Sequence, residues 1–323
     1  MSGRKEYKDK LTIKINNFIE KSNKPCLKGF RYFIRNMALT SAYEYITQVG
    51  NFLDYVEKDP EELTVDDYTF YLFGLEEKGR TASYQITAYS ALKKFSTYLL
   101  AKEINTTDPM RFVDRPKFTE TIATQEKREK GFLTKREIKE LKNNILSGVG
   151  SGKARARQKN VTERDLAIIM IFLNTGMRCS ALCNLDVSNI KNETKSLIFT
   201  DKGDKIRECP LSSETWKCLK DYISVRETFD PTSDALFVKT TGDRIGYGGV
   251  NKLVKKYTST IKGKHITPHK LRATYGTQLY NATKDIYFVQ QCMDHNNPKT
   301  TELYVRGQNK NAKKASEILE GIL

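Results

Sequence analysis

Apolar residues recur at helical spacing through the first third of the chain. Leu11, Ile15, Phe18 and Ile19 mark one helix. Thr40 is the expected cap of a second, which carries Tyr43, Ile46, Phe52 and Tyr55. A third is expected from Thr64, ahead of Val65, Tyr68, Phe70 and Leu72. A fourth spans about Thr81 to Lys102, with Tyr89, Leu92, Phe95 and Leu99 among its apolar positions. Thr106-Thr107-Asp108-Pro109 breaks the pattern, because proline cannot continue a helix.

Residues 114–131 are polar and charged with almost no periodicity, which predicts an exposed linker; a charged surface helix is the alternative. The pattern resumes at Phe132-Leu133-Thr134, where Thr134 caps a helix with Ile138 and Leu141. Residues 146–160 are rich in Gly, Ser, Lys and Arg and are expected to form a loop. An apolar helix follows from Leu166 to Asn174. The runs 196–200 and 205–211 flank Asp201-Lys202-Gly203-Asp204 and predict a β-hairpin. Beyond Trp216 the pattern is again mostly helical, ending in a tail helix at about 309–322 with Ala312, Ala315, Leu319 and Ile322 on one stripe. The expected class is therefore mainly α with a small β-sheet. The expected organisation is a helical domain over 1–112, a linker over 113–131 and a second domain over 132–323.

Charge changes the picture. The 55 Lys and Arg exceed the 39 Asp and Glu, leaving a formal net charge of +16, which favours a polyanionic partner. An acidic membrane surface would attract the same charge. No apolar run is long enough to span a bilayer, and the first ten residues are polar, so neither a membrane span nor a secretory leader is expected. Cys26, Cys179, Cys183, Cys209, Cys218 and Cys292 form no CxxC pair and show no zinc spacing. They are read as reduced thiols of a cytoplasmic protein. With only His265, His269 and His295, a histidine metal cluster is not expected, nor is any cofactor.

The candidate chemistry lies in three segments: TGMRCSALCNL (175–185), HKLRATYGTQLY (269–280) and MDHNNPKTTELYV (293–305). Breaking a phosphodiester without metal needs a nucleophile, a positive clamp for the phosphate oxygens and a proton for the leaving oxygen. Arginine suits the clamp through its permanent charge and planar fork. Lysine and histidine move protons, and tyrosine can leave a covalent phosphoester. Singly, each residue has a plainer explanation: Tyr304 is one of 17 tyrosines, and an isolated arginine usually serves a surface ion pair. Jointly, two of the three histidines lie inside these same segments, beside Arg272 and Tyr304.

These segments, in this order and spacing, resemble the signature boxes of the tyrosine recombinase and phage integrase family. The turn at Lys202-Gly203 with Lys205, Arg207 and Pro210-Leu211 resembles its lysine-bearing hairpin, and Arg164-Asp165 fits the approach to the first arginine box. The resemblance implies a core-binding domain and a catalytic domain closing on DNA as a C-shaped clamp. It implies Arg178 and Arg272 on the scissile phosphate, Lys202 protonating the leaving 5′ oxygen, His269 holding the tyrosine proton, and His295 on a phosphate oxygen. Tyr304 would form a 3′-phosphotyrosyl intermediate. Lys205 could stand in for Lys202. Lys153, Arg155, Arg157 and Lys159 are candidate DNA-backbone contacts, or simply a solvated basic loop. The partners implied are duplex DNA carrying a specific site, a homotetramer on paired sites with the tail exchanged between protomers, and accessory DNA-bending proteins. The first domain starts close to Met1, leaving little room for an arm-binding domain. A type IB topoisomerase and a catalytically idle DNA-binding regulator are the rival readings. Three departures bear on positioning: Ala181 stands where the family commonly has an acid, Ala273 where histidine is frequent, and Asp294 where glycine is usual.

Overall fold

The computed structural model of the chain describes residues 2–117, 131–201 and 205–293. The chain divides into two compact units, Met1–Thr121 and Ile122–Leu323. The described part of the first is helical: α1 (Ser2–Ser22), α2 (Pro25–Phe33), α3 (Leu39–Val56), α4 (Val65–Glu77) and α5 (Ala82–Ala101). The short α2 has no counterpart in the sequence reading, and Pro25 at its first position starts it. α4 begins as its sequence predicts, with the Thr64 amide and hydroxyl both donating to Asp67 Oδ2 at 2.9 Å. Phe30, Phe52, Tyr68 and Phe95 fill the middle of this unit, with Phe52 stacked on Tyr68 at 4.6 Å.

The second unit is built around an apolar helix. α6 (Lys135–Ser147) precedes it, capped by Thr134, whose amide donates to Glu137 Oε2 at 2.7 Å. Residues 146–160 do not form the expected loop throughout, because Gly152–Lys159 folds as α7. Alanine, arginine, glutamine and lysine are all good helix formers, and Gln158 ties the turn down by bonding both the Val149 amide and carbonyl. α8 (Thr162–Thr175) starts earlier than the apolar run and buries Ala167 through Phe172, so it is covered on nearly every side. A short α9 (Cys179–Cys183) leads to an antiparallel sheet of β1 (Ile190–Lys191), β2 (Ser196–Thr200) and β3 (Ile206–Pro210), ordered β1-β2-β3. The hairpin pairs Leu197 with Cys209 and Phe199 with Arg207. Then come α10 (Ser213–Val225), α11 (Tyr247–Thr258), α12 (Pro268–Thr283) and α13 (Ile286–Met293). α10 and α12 pack on α8, and α13 packs on α12. The tail at 309–322 and linker residues 118–130 lie outside the described residues; 114–117 are neither helix nor strand. No described helix is long and apolar enough to cross a membrane.

Arg164 and Asp165 do a structural job. Asp165 Oδ1 accepts from Arg164 Nε at 2.9 Å and Nη2 at 2.7 Å, while Oδ2 accepts from Lys256 Nζ at 3.1 Å and Tyr257 Oη at 2.9 Å. The carboxylate's side chain is 1% exposed. Removing it leaves the buried Arg164 charge with the Val238 carbonyl in place of a carboxylate, and breaking such a buried pair costs about 3 kcal/mol or more. Asp165→Ala is therefore expected to lose at least that much stability in urea. The single tryptophan, Trp216 on α10, reports unfolding of this unit alone by fluorescence. A loss under about 1 kcal/mol would contradict the network's role.

Candidate active site

The site begins where α8 stops. Gly176 adopts the left-handed conformation at φ +59°, its amide closing the helix on the Phe172 carbonyl at 3.0 Å. A Cβ at this position would run into the Tyr275 ring. The chain reverses over buried Met177 and presents Arg178 as the extended residue before α9. Arg178 thus leaves a fixed turn with its side chain 30% exposed.

Three more groups meet it. Asp201, at the end of β2, accepts from Arg178 Nη1 at 2.5 Å, and its side chain is 1% exposed. Arg207 of β3 reaches the other oxygen of Asp201 at 3.5 Å and donates from Nη2 to the Cys292 carbonyl at 2.7 Å. Arg207 points inward because β3 alternates, with Ile206 and Glu208 outward, and its guanidinium lies 5.9 Å from the Phe199 ring. α12 supplies the rest. Thr267 caps it, Pro268 opens it, and His269 and Arg272 lie one turn apart. Arg272, only 3% exposed, donates from Nη1 to the Gly176 carbonyl at 2.6 Å and from Nη2 to the Met293 carbonyl. The last carbonyls of α13 therefore face two cations, the favourable arrangement at a helix C-terminus.

His269 feels both family arginines. Part of its surface is open to solvent. Burial of the rest lowers its pKa from 6.5, and repulsion from Arg272 and then Arg178 adds to the shift. It is neutral at pH 7 and can accept a proton. Tyr275 is the tyrosine beside this turn. Burial first, then the neighbouring Cys292 and Cys209 thiols, push its phenol up to about 12, which suits packing and not attack at neutral pH. Cys209 itself is held protonated by burial.

The structure thus brings Arg178, Arg272 and His269 together. Lys202, His295, Tyr304 and Asp294 lie outside the described residues. Lys205 is exposed, and its carbonyl accepts from the Asp201 amide at 2.8 Å, closing the hairpin turn. Lys153, Arg155, Arg157 and Lys159 are all exposed, but on α7 and not on a loop, and Arg155 Nε is engaged with the Ser147 carbonyl at 2.6 Å. Sequence reasoning missed Asp201. An Asp beside Lys-Gly reads as an ordinary turn residue, and the signal available was the absent acid at 181. No group of three His, Cys, Asp or Glu able to hold a metal occurs among the described residues.

Comparison with known proteins agrees on one family. The model of the phage integrase family matches residues 132–311, more than half of the chain. A tyrosine recombinase XerC of Bacillus pumilus is 30% identical over 254 residues, covering 76% of this chain and 77% of the relative. That of Corynebacterium efficiens is 25% identical over 278 residues, covering 86% and 79%. Among solved structures, the XerH recombinase bound to palindromic difH in a post-cleavage complex overlays with a TM-score of 0.70 at 19% identity, covering 88% of this chain and 82% of that one. A lambda integrase dimer bound to a core site gives 0.64 at 15%, covering 86% and 93%. At these identities the overlays speak for the fold.

The imidazole makes a direct test. His269 is expected to titrate below 6.5 by NMR, where only three histidines need assigning. Because folding lowers this pKa, the unfolded chain binds the proton more tightly. Stability from this group is therefore present above pH 6.5 and lost as pH falls through 6.5 toward the folded value. Arg178→Ala is expected to raise the midpoint. An unchanged midpoint would separate His269 from that arginine.

Proposed function

The chain belongs to the phage integrase family, and from that premise we propose that it cleaves and rejoins DNA at specific sites through a covalent tyrosine intermediate. It is a tyrosine-type site-specific recombinase, in keeping with its XerC relatives. Neither the type IB topoisomerase nor the idle regulator is favoured. The observation that carries the mechanism is the convergence of Arg178, Arg272 and a neutral His269 around the Gly176 turn.

In this reading the two arginines match the charge on the non-bridging oxygens of the scissile phosphate, where fixed donors act most strongly as charge develops. His269 takes the phenolic proton of Tyr304 as its oxygen attacks phosphorus. Lys202, with Lys205 as the alternative, gives a proton to the departing 5′ oxygen, and His295 bonds a phosphate oxygen. The 3′-phosphotyrosyl link keeps the bond energy for rejoining, when a 5′ hydroxyl expels the phenolate. The helical unit serves as core-binding domain, closing with the catalytic unit as a clamp on duplex DNA. Lys153, Arg155, Arg157 and Lys159 add backbone contacts. A homotetramer on paired sites with the tail exchanged between protomers, assisted by DNA-bending proteins, and a cytoplasmic location complete the proposal.

Tyr304→Phe is expected to abolish a denaturant-resistant adduct on a nicked duplex site while binding stays within about twofold, since only one oxygen is lost and binding rests mainly on backbone contacts. Arg272→Ala is expected to slow cleavage about a hundredfold or more, with Arg272→Lys a poor rescue. Cleavage should persist in EDTA. Adduct formed by the Tyr304→Phe chain, or cleavage restored by magnesium alone, would contradict the reading.

A further inference from the structure

We propose that Asp201 is the positioning residue for Arg178, fixing its guanidinium toward the scissile phosphate from the hairpin turn; this rests on the recombinase reading above. Arg178 leaves the backbone on a long side chain with many accessible rotamers. The turn at Gly176 fixes its Cα but not its fork. The carboxylate does the rest. Asp201 Oδ1 holds Nη1 at 2.5 Å, a charge-assisted bond to a side chain only 1% exposed. The 30% exposure of Arg178 leaves part of the fork facing solvent.

Asp201 is itself fixed. Its amide donates to the Lys205 carbonyl at 2.8 Å, and Arg207 Nη1 lies 3.5 Å from its second oxygen. Arg207 in turn holds the Cys292 carbonyl. One buried carboxylate therefore ties the first arginine to the hairpin and, through Arg207, to the end of α13. No other carboxylate takes this place on α9, where residue 181 is alanine and 3% exposed. A carboxylate close to a scissile phosphate would by itself repel it. Here Arg178 and Arg207 flank it and Arg272 stands nearby, so three positive charges outweigh one negative.

The test separates an effect through Arg178 from a general loss of structure. Cleavage by Asp201→Asn is expected to fall about thirtyfold or more on an ordinary nicked half-site. On a half-site whose scissile phosphate is a neutral methylphosphonate, an anionic oxygen is missing and the need for Arg178 is relieved. The Asp201→Asn loss should then shrink to about threefold or less, in parallel with that of Arg178→Ala. In Arg178→Ala, adding Asp201→Asn should slow cleavage no further, the signature of two residues acting as one. Equal losses on both substrates, or additive losses in the double variant, would overturn the proposal. Should Asp201→Asn fail to fold, Asp201→Glu and Asp201→Gln, matched in size and differing in charge, carry the same comparison. A wild-type chain that forms no Tyr304-dependent adduct would sink the recombinase reading and this proposal together. Wild-type cleavage with an equally fast Asp201→Asn would sink this proposal alone.

Discussion

Arg272 donates to two main-chain carbonyls that are far apart in sequence, Gly176 at the end of α8 and Met293 at the end of α13. Much of the site depends on that pair of bonds. Like charges repel, and a buried guanidinium without acceptors costs several kcal/mol. Bringing Arg178, Arg207 and Arg272 into one corner therefore requires acceptors in fixed places. The helix ends supply carbonyls that have no partner within their own helices. Among the described residues, Asp201 supplies a carboxylate to this corner. Gly176 contributes twice, since its missing Cβ admits the Tyr275 ring and its carbonyl faces Arg272.

This arrangement also explains the state of His269. Partial burial, reinforced by repulsion from two arginines, makes His269 hold its proton weakly, so the imidazole is a base at neutral pH. The same field that would hold a phosphate adds to that shift. Tyr275 shows the opposite outcome a few residues away, where burial keeps a phenol protonated.

What was legible in the chain follows physical range. Helices α4, α5 and α6 announce themselves by caps and apolar spacing, which are local signals; α3 does so by spacing alone, since Ala38 and not the expected Thr40 stands at its N-cap. Arg178, His269 and Arg272 were legible because their spacing within each box is also local. α7 was not, because its residues are helix formers with hardly any apolar face and read as a basic loop. Nor were the bonds that build the site. Arg207 and the Cys292 carbonyl are separated by 85 positions, and no periodicity marks such a partner. β3 was misleading in detail, since its apolar Ile206 faces solvent at 77% exposure while the charged Arg207 turns inward. Asp201 looked like a turn former and is a buried counter-ion.

The clamp on the end of α13 has a mechanical consequence. Arg207 and Arg272 grip the carbonyls of Cys292 and Met293, so the chain is pinned there whatever follows. Tyr304 comes eleven residues after Met293. At no more than about 3.6 Å per residue, its Cα can lie no farther than about 40 Å from the pin. Of the two cations at the pin, Arg272 is also one that would receive the phosphate, so the site's clamp and the chain's anchor share a side chain.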